Sequence, residues 1–231
     1  MSSRPIICML SSFLPRSRPH SAGRAIAPAV LILVLSMVIF VQLAIRAHEH
    51  GVFEWDAKLS RAINAPAKND NVLNQPVDFA EIVLHPAFQV SVFVWVTCVC
   101  VAALILRRAQ AAAFILLAVA GSVVLGPILK ELVERPSVID FERPLAHPDR
   151  EGHAFPSGHA LRSMTAVGAL ALLAWPTRRR WTVTLVGGAF ALITGIAVVY
   201  KEWHWVSDVF GAWCISVAWL ALLWLLLRPP Y

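Results

Sequence analysis

Charge is scarce in this sequence. Asp, Glu, Lys and Arg make up 15% of its 231 residues, against about 25% in an ordinary soluble domain. The scarcity comes in blocks, because long stretches such as 25–45, 86–106 and 109–129 hold no charge at all. A water-soluble core cannot use such runs, whereas a membrane-crossing helix needs roughly 20 apolar residues. Period-two alternation is also missing, which excludes the short amphipathic strands of a membrane barrel. Cysteine is rare: Cys8, Cys98, Cys100 and Cys214 lie in the N-terminal tail or in apolar runs. None has zinc-ligand spacing with a nearby histidine, so neither a disulfide framework nor a metal site is expected. Internal repeats and low-complexity domains are absent.

What is present reads as an all-α, polytopic membrane protein. Backbone polar groups in lipid must be satisfied within the segment, so apolar runs of this length are helices. Six spans are expected, at about 25–45, 86–106, 109–129, 157–175, 181–200 and 207–227. The basic tail 1–24 is expected to be disordered and cytoplasmic, and 229–231 to form a second cytoplasmic tail. The first span is read as a retained signal anchor. Residues 46–85 are polar, with a weak helical pattern.

Orientation follows from arginine and lysine. With the N-terminus in the cytoplasm, the cytoplasmic segments hold Arg4, Arg16, Arg18, Arg24, Arg107, Arg108, Arg178, Arg179, Arg180 and Arg228, and no Asp or Glu. Every acidic residue then falls on the other side. The net charge of +6 is therefore a topology signal, not a nucleic-acid site. Trp175, Trp181, Trp203 and Trp205 fall at expected interfaces, where amphipathic rings are favoured.

This topology brings three polar clusters to the extracytoplasmic face. They are Lys130, the run Phe155-Pro156-Ser157-Gly158-His159, and the run His204-Trp205-Val206-Ser207-Asp208. Ser157 can cap the helix that follows, whose free amides form an anion site. Gly158 lets backbone approach a ligand closely. His204 and Asp208 are four apart and are expected to share a helix face, with Lys201 on the same side. A carboxylate that accepts the proton of one imidazole nitrogen frees the other to attack. Two histidines can then divide nucleophile and general acid between them. The pair His48 and His50 flanking Glu49 is read as a polar juxtamembrane segment rather than a metal site.

Pro156-Ser157-Gly158-His159, with His204 and Asp208 in a His-x-x-x-Asp arrangement on a later helix, resembles the type-2 phosphatidic acid phosphatase superfamily. The resemblance covers roughly the second half of the chain. It implies a six-helix membrane phosphatase that needs no metal and no cofactor. His204 matches the nucleophile that forms a phosphohistidine, Asp208 its orienting carboxylate and His159 the general acid. Ser157 and the Gly158 amide match phosphate-oxygen donors, and Lys130 the lysine of the first motif. The implied substrate is a membrane lipid phosphate or polyprenyl diphosphate, hydrolysed at the extracytoplasmic face of a bacterial inner membrane, with no obligate protein partner.

Two positions depart from the family pattern. Its first motif has an arginine seven residues after the lysine, where this chain has Ser137; Arg135-Pro136 comes earlier and Arg143-Pro144 later. Its third motif has Ser-Arg where this chain has Ala197-Val198. Neutralising phosphate charge is most of phosphoryl-transfer catalysis, so the charge must come from elsewhere. Arg162, three residues past His159, is the first candidate, with Lys201, Arg135 and Arg143 behind it. Without such replacement the chain would be a catalytically inactive lipid-phosphate-binding protein, which stands as the alternative.

Overall fold

The computed structural model describes residues 19–64, 109–136, 138 and 153–227. The expected span 86–106, Arg143 and most of the first tail lie outside them. The described residues form six helices and no strand. These are α1 (Pro19–His50), α2 (Glu54–Asn64), α3 (Ala109–Val133), α4 (Gly158–Ala174), α5 (Arg180–Tyr200) and α6 (Val206–Leu227). Four of them, α1, α3, α5 and α6, are long and apolar enough to cross a membrane. Helix α4, at 17 residues, is the shortest of the expected spans that are described.

Helix α1 starts at Pro19, inside the expected tail, and runs for 32 residues. At 1.5 Å per residue that is roughly 48 Å, well beyond a hydrocarbon core of about 30 Å. Its last turn is anchored: His48 Nδ1–H donates to the Val133 carbonyl at the end of α3 (3.1 Å). The weak helical pattern after residue 46 resolves into α2, an amphipathic helix that opens with Glu54 and Asp56.

Helix α6 is the centre of the bundle, packing against α1, α3 and α4, while α5 packs on α4 and also meets α2 and α6. Side-chain bonds fix the register of these contacts. Ser216 Oγ donates to the Leu161 carbonyl on α4 (3.1 Å), and Trp219 Nε1 to the Ala118 carbonyl on α3 (3.2 Å). Small residues let the helices approach, as membrane packing requires. Gly211 is one such case, since a Cβ there would lie 2.5 Å from the Phe155 ring. Phe155 is fully buried and also stacks on Phe40 of α1 (centroids 5.6 Å apart). The loop entering α4 is thus wedged between α1 and α6.

The basic turn between α4 and α5 lies at the opposite end from this wedge. Trp175 and Trp181 are exposed there and meet edge to face (5.8 Å). Trp203 is exposed as well, but Trp205 corrects the interface expectation. It is wholly buried, with Nε1 donating to the Pro136 carbonyl (3.2 Å) and the Arg135 guanidinium 5.8 Å from its ring centre.

Candidate active site

One end of the bundle collects the last turns of α1, α3 and α5 and the first turns of α4 and α6. Two of these starts are stitched together through backbone: the Ser157 amide donates to the Asp208 carbonyl (3.1 Å).

The start of α4 forms as its sequence predicts. Ser157 is extended (φ −66°, ψ 118°), and its Oγ accepts from the Ala160 amide (3.5 Å). The Leu161 amide reaches the Ser157 carbonyl (2.9 Å). The amides of Gly158 and His159 have no partner among the described residues. They are the donors left to an anion at this helix end.

The start of α6 is built the opposite way. The Trp205 amide donates to Asp208 Oδ2 (2.9 Å), the Val206 amide to Ser60 Oγ (3.3 Å) and the Ser207 amide to Asp56 Oδ1 (3.0 Å). Its leading amides are thus consumed by side chains, two of them from α2. Of the two helix starts at this end, only that of α4 offers free amides.

His204 lies in the turn before α6 rather than on the helix, which begins at Val206. It is buried, and its Nδ1 stands 3.5 Å from Asp208 Oδ2. The i,i+4 approach expected of a helix face is thus reached through a turn. Lys201 does not follow that expectation. It caps the C-terminus of α5, and Glu202 behind it is left-handed (φ 59°), which breaks the helical register between Lys201 and His204. Trp203 then leans on the His159 ring (centroids 5.8 Å, 39° between planes).

Arg162 points back toward the mouth of α4. A Cβ on Gly158 would lie 3.7 Å from its Nη2 and 3.9 Å from its Cζ. Its buried Nε has no hydrogen-bond partner among the described residues. The charges of Arg162, His204 and Lys130 all act on His159, and those of Asp208 and Arg162 act on Lys130. Lys130, His159, Arg162, His204 and Asp208 therefore form one electrostatic neighbourhood, beside the free amides of α4.

Arg135 is not part of that cradle. It is wholly buried, and its guanidinium is spent on protein. Nε donates to the Gly51 carbonyl (2.6 Å), Nη2 to Asp56 Oδ2 (2.8 Å), and Nη1 to both Ser207 Oγ and Asp208 Oδ1. A side chain enclosed this way cannot meet a phosphate, which corrects its place among the phosphate ligands. Ala197 and Val198 are buried in the apolar cluster with Phe155, Leu161 and Val209. The place of the family's Ser-Arg pair is therefore filled core.

Comparison with known proteins identifies the family. Residues 110–229 match the PAP2 superfamily. The chain belongs to that superfamily. Among relatives of this PAP2 chain, an undecaprenyl-diphosphatase of Sulfolobus acidocaldarius is 24% identical over 133 residues, which is 57% of this chain and 62% of that protein. Phosphatidylglycerophosphatase B of Bacillus subtilis is 31% identical over 98 residues, 40% of this chain and 46% of that one. The matched stretches thus span less than two thirds of either relative. The crystal structure of a transmembrane PAP2-type phosphatidylglycerolphosphate phosphatase from Bacillus subtilis superposes with a TM-score of 0.65 at 22% identity, covering 83% of this chain and 93% of that one. The PAP2 chain shares that fold and is a membrane protein.

Asp56, Ser60 and Ser207 were not among the expected site residues of this PAP2 chain. Asp56 and Ser60 are four apart on α2, so they face the same way. That spacing, with an acid opening an amphipathic helix, was the one signal available.

Proposed function

We propose that this PAP2 chain is a membrane phosphatase that hydrolyses a lipid phosphate or polyprenyl diphosphate through a phosphohistidine on His204, without a metal. The observation that carries the reading is His204 itself, buried, with Nδ1 3.5 Å from a carboxylate that is held in place from the other side. His204 Nδ1 makes no hydrogen bond among the described residues, but the nearby carboxylate favours the Nδ1–H tautomer, which leaves Nε2 to attack phosphorus. The P–O bond to the lipid breaks as the P–N bond forms, and protonated His159 gives its proton to the leaving oxygen. Neutral His159 then takes a proton from water, whose oxygen displaces the imidazole. Lys130, Arg162, Ser157 and the Gly158 and His159 amides hold the phosphoryl oxygens. Lys201 and Arg143 stay as further candidates. A cradle built of cations and amides, with Asp208 already engaged by Arg135 and the Trp205 amide, suits a bare phosphate better than a metal bridge.

The names of the two relatives support a lipid substrate with a phosphate or diphosphate head. The arginine distribution supports the extracytoplasmic side of the cell membrane, with both termini in the cytoplasm. An inactive lipid-phosphate-binding protein is favoured only by the filled position at Val198. Binding alone gives no reason for a carboxylate-oriented imidazole.

The test is phosphate release from a panel of lipid mono- and diphosphates by the purified full chain in detergent. Turnover should persist in chelator, fall with vanadate and vanish in His204→Ala. Loss of turnover in chelator would remove the metal-free mechanism. Full turnover in His204→Ala would remove the nucleophile.

A further inference from the structure

The buried chain of contacts that runs from α2 to the nucleophile has no counterpart in the sequence motifs. Asp56 is wholly buried and makes three polar contacts. Oδ1 accepts from the Ser207 amide (3.0 Å), and Oδ2 accepts from the Ser207 hydroxyl and, as an ion pair, from Arg135 Nη2 (2.8 Å). Arg135 then grips Asp208 Oδ1 through Nη1, and Asp208 turns its other oxygen to His204. Hydrogen bonds thus join Asp56, Arg135 and Asp208 in series, with His204 Nδ1 3.5 Å beyond and not hydrogen-bonded among the described residues.

The charges in this series do not cancel. Two carboxylates share one guanidinium, so these three side chains by themselves carry a formal charge of minus one beside His204 Nδ1, with the Lys130 charge also acting on Asp208. When Nε2 bonds to phosphorus, the imidazole becomes cationic with its proton on Nδ1. The excess negative charge is then balanced. Groups that favour a charge only as it develops act on the transition state and not on substrate binding.

We propose that Asp56 is a positioning residue for the His204 nucleophile. Through Arg135 it fixes the Asp208 carboxylate, and it adds negative charge that favours the phosphorylated imidazole. Asp56 touches no reacting atom. The proposal rests on the phosphohistidine reading above.

The experiment compares Asp56→Asn and Asp56→Glu with the unaltered chain in detergent, measuring kcat, KM and the amount of acid-labile phosphoenzyme trapped on quenching. Thermal unfolding is followed in parallel. Asp56→Asn keeps the size of the side chain and removes its charge. It should lower kcat about 30-fold or more and deplete trapped phosphoenzyme, with KM within about 3-fold of the original. Asp56→Glu, which keeps the charge, should recover part of kcat. A folded Asp56→Asn with unchanged kcat overturns the proposal, as does a loss carried by KM alone. If Asp56→Asn does not fold, Ser207→Ala replaces it. That change removes one link to Asp56 and one to Arg135 without altering charge. A kcat about 3-fold to 10-fold lower at constant KM is then expected, and an unchanged kcat overturns the proposal. Failure of the underlying reading looks different, since the unaltered chain would then release no phosphate and trap no phosphoenzyme.

Discussion

Gly211→Ala isolates the packing that aims the start of α4. An added Cβ would lie 2.5 Å from both Cε2 and Cζ of Phe155. Carbon atoms in contact prefer about 3.5–4.0 Å, so the ring must retreat by roughly 1 Å. It has little room, because Phe155 is fully buried and its other side stacks on Phe40 at 5.6 Å. Overpacking of this kind typically costs ~1–3 kcal/mol. The functional loss should exceed the stability loss. Pro156 and Ser157 follow Phe155 directly, so ring displacement moves the capping serine and His159 with it. A misplacement of about 1 Å at a reacting group can cost on the order of 100-fold in rate. The assay is lipid-phosphate turnover in detergent beside thermal unfolding followed by tryptophan fluorescence. Gly211→Ala should lower the midpoint and cut kcat by roughly 10-fold to 100-fold. Adding Phe155→Leu, which shortens the wedge, should restore part of both. Normal turnover in Gly211→Ala, or a double variant no better than the single one, would refute the account of how α4 is aimed.

Four further outcomes follow from the same geometry. Arg162→Ala should lose about 100-fold or more in kcat with the protein still folded, because the side chain lies over the α4 amides rather than in the core; Arg162→Lys should recover only part, having one donor head instead of a fork. Normal turnover in Arg162→Ala would show that the phosphate charge is met elsewhere. Arg135→Met should leave two buried carboxylates without their shared cation and destabilise the fold by about 3–5 kcal/mol, read as lost monodisperse protein or a much lower unfolding midpoint. Glu134→Gly should raise stability by up to about 1 kcal/mol, since Glu134 is exposed and left-handed (φ 51°) at the end of α3, where glycine fits without a side-chain penalty.

The parts of the site that were legible in the sequence are local ones. Ser157 followed by an apolar run marks a helix start, and the cap forms as expected. His204 and Asp208 meet because their separation is short enough for either a helix or a tight turn to bring them together. Hydropathy placed α1, α3, α5 and α6, since lipid leaves the backbone few choices. The parts that were not legible depend on distance or on one backbone angle. Arg135 and Asp56 are 79 positions apart, and nothing local to either says that they meet. An arginine next to a proline in a polar loop looks like a solvent-facing cation until a carboxylate from α2 encloses it. Glu202 carries a left-handed angle that glycine would have advertised and glutamate does not. The helical register ends there, between Lys201 and His204.

The fate of Arg135 changes where the charge for phosphate must come from. Its cation is matched by Asp56 and Asp208 together, so none of it remains for a ligand. The place of the other family arginine is packed with Val198. Among the described residues, the positive field at the mouth of α4 comes from Lys130, Arg162 and the helix end itself, with Lys201 and Arg143 as the further proposed candidates. Arg162, the proposed replacement, differs from the family arginines in one physical respect. It sits on the same helix as the free amides and His159, so guanidinium, amides and general acid move as one rigid body. Lys130 and His204 come from other helices and are set by the packing of α3 and α6 against α4. The precision of the site therefore reduces to how firmly α6 holds α4: through Ser216 on the Leu161 carbonyl, the Ser157 amide on the Asp208 carbonyl, and Phe155 seated against Gly211.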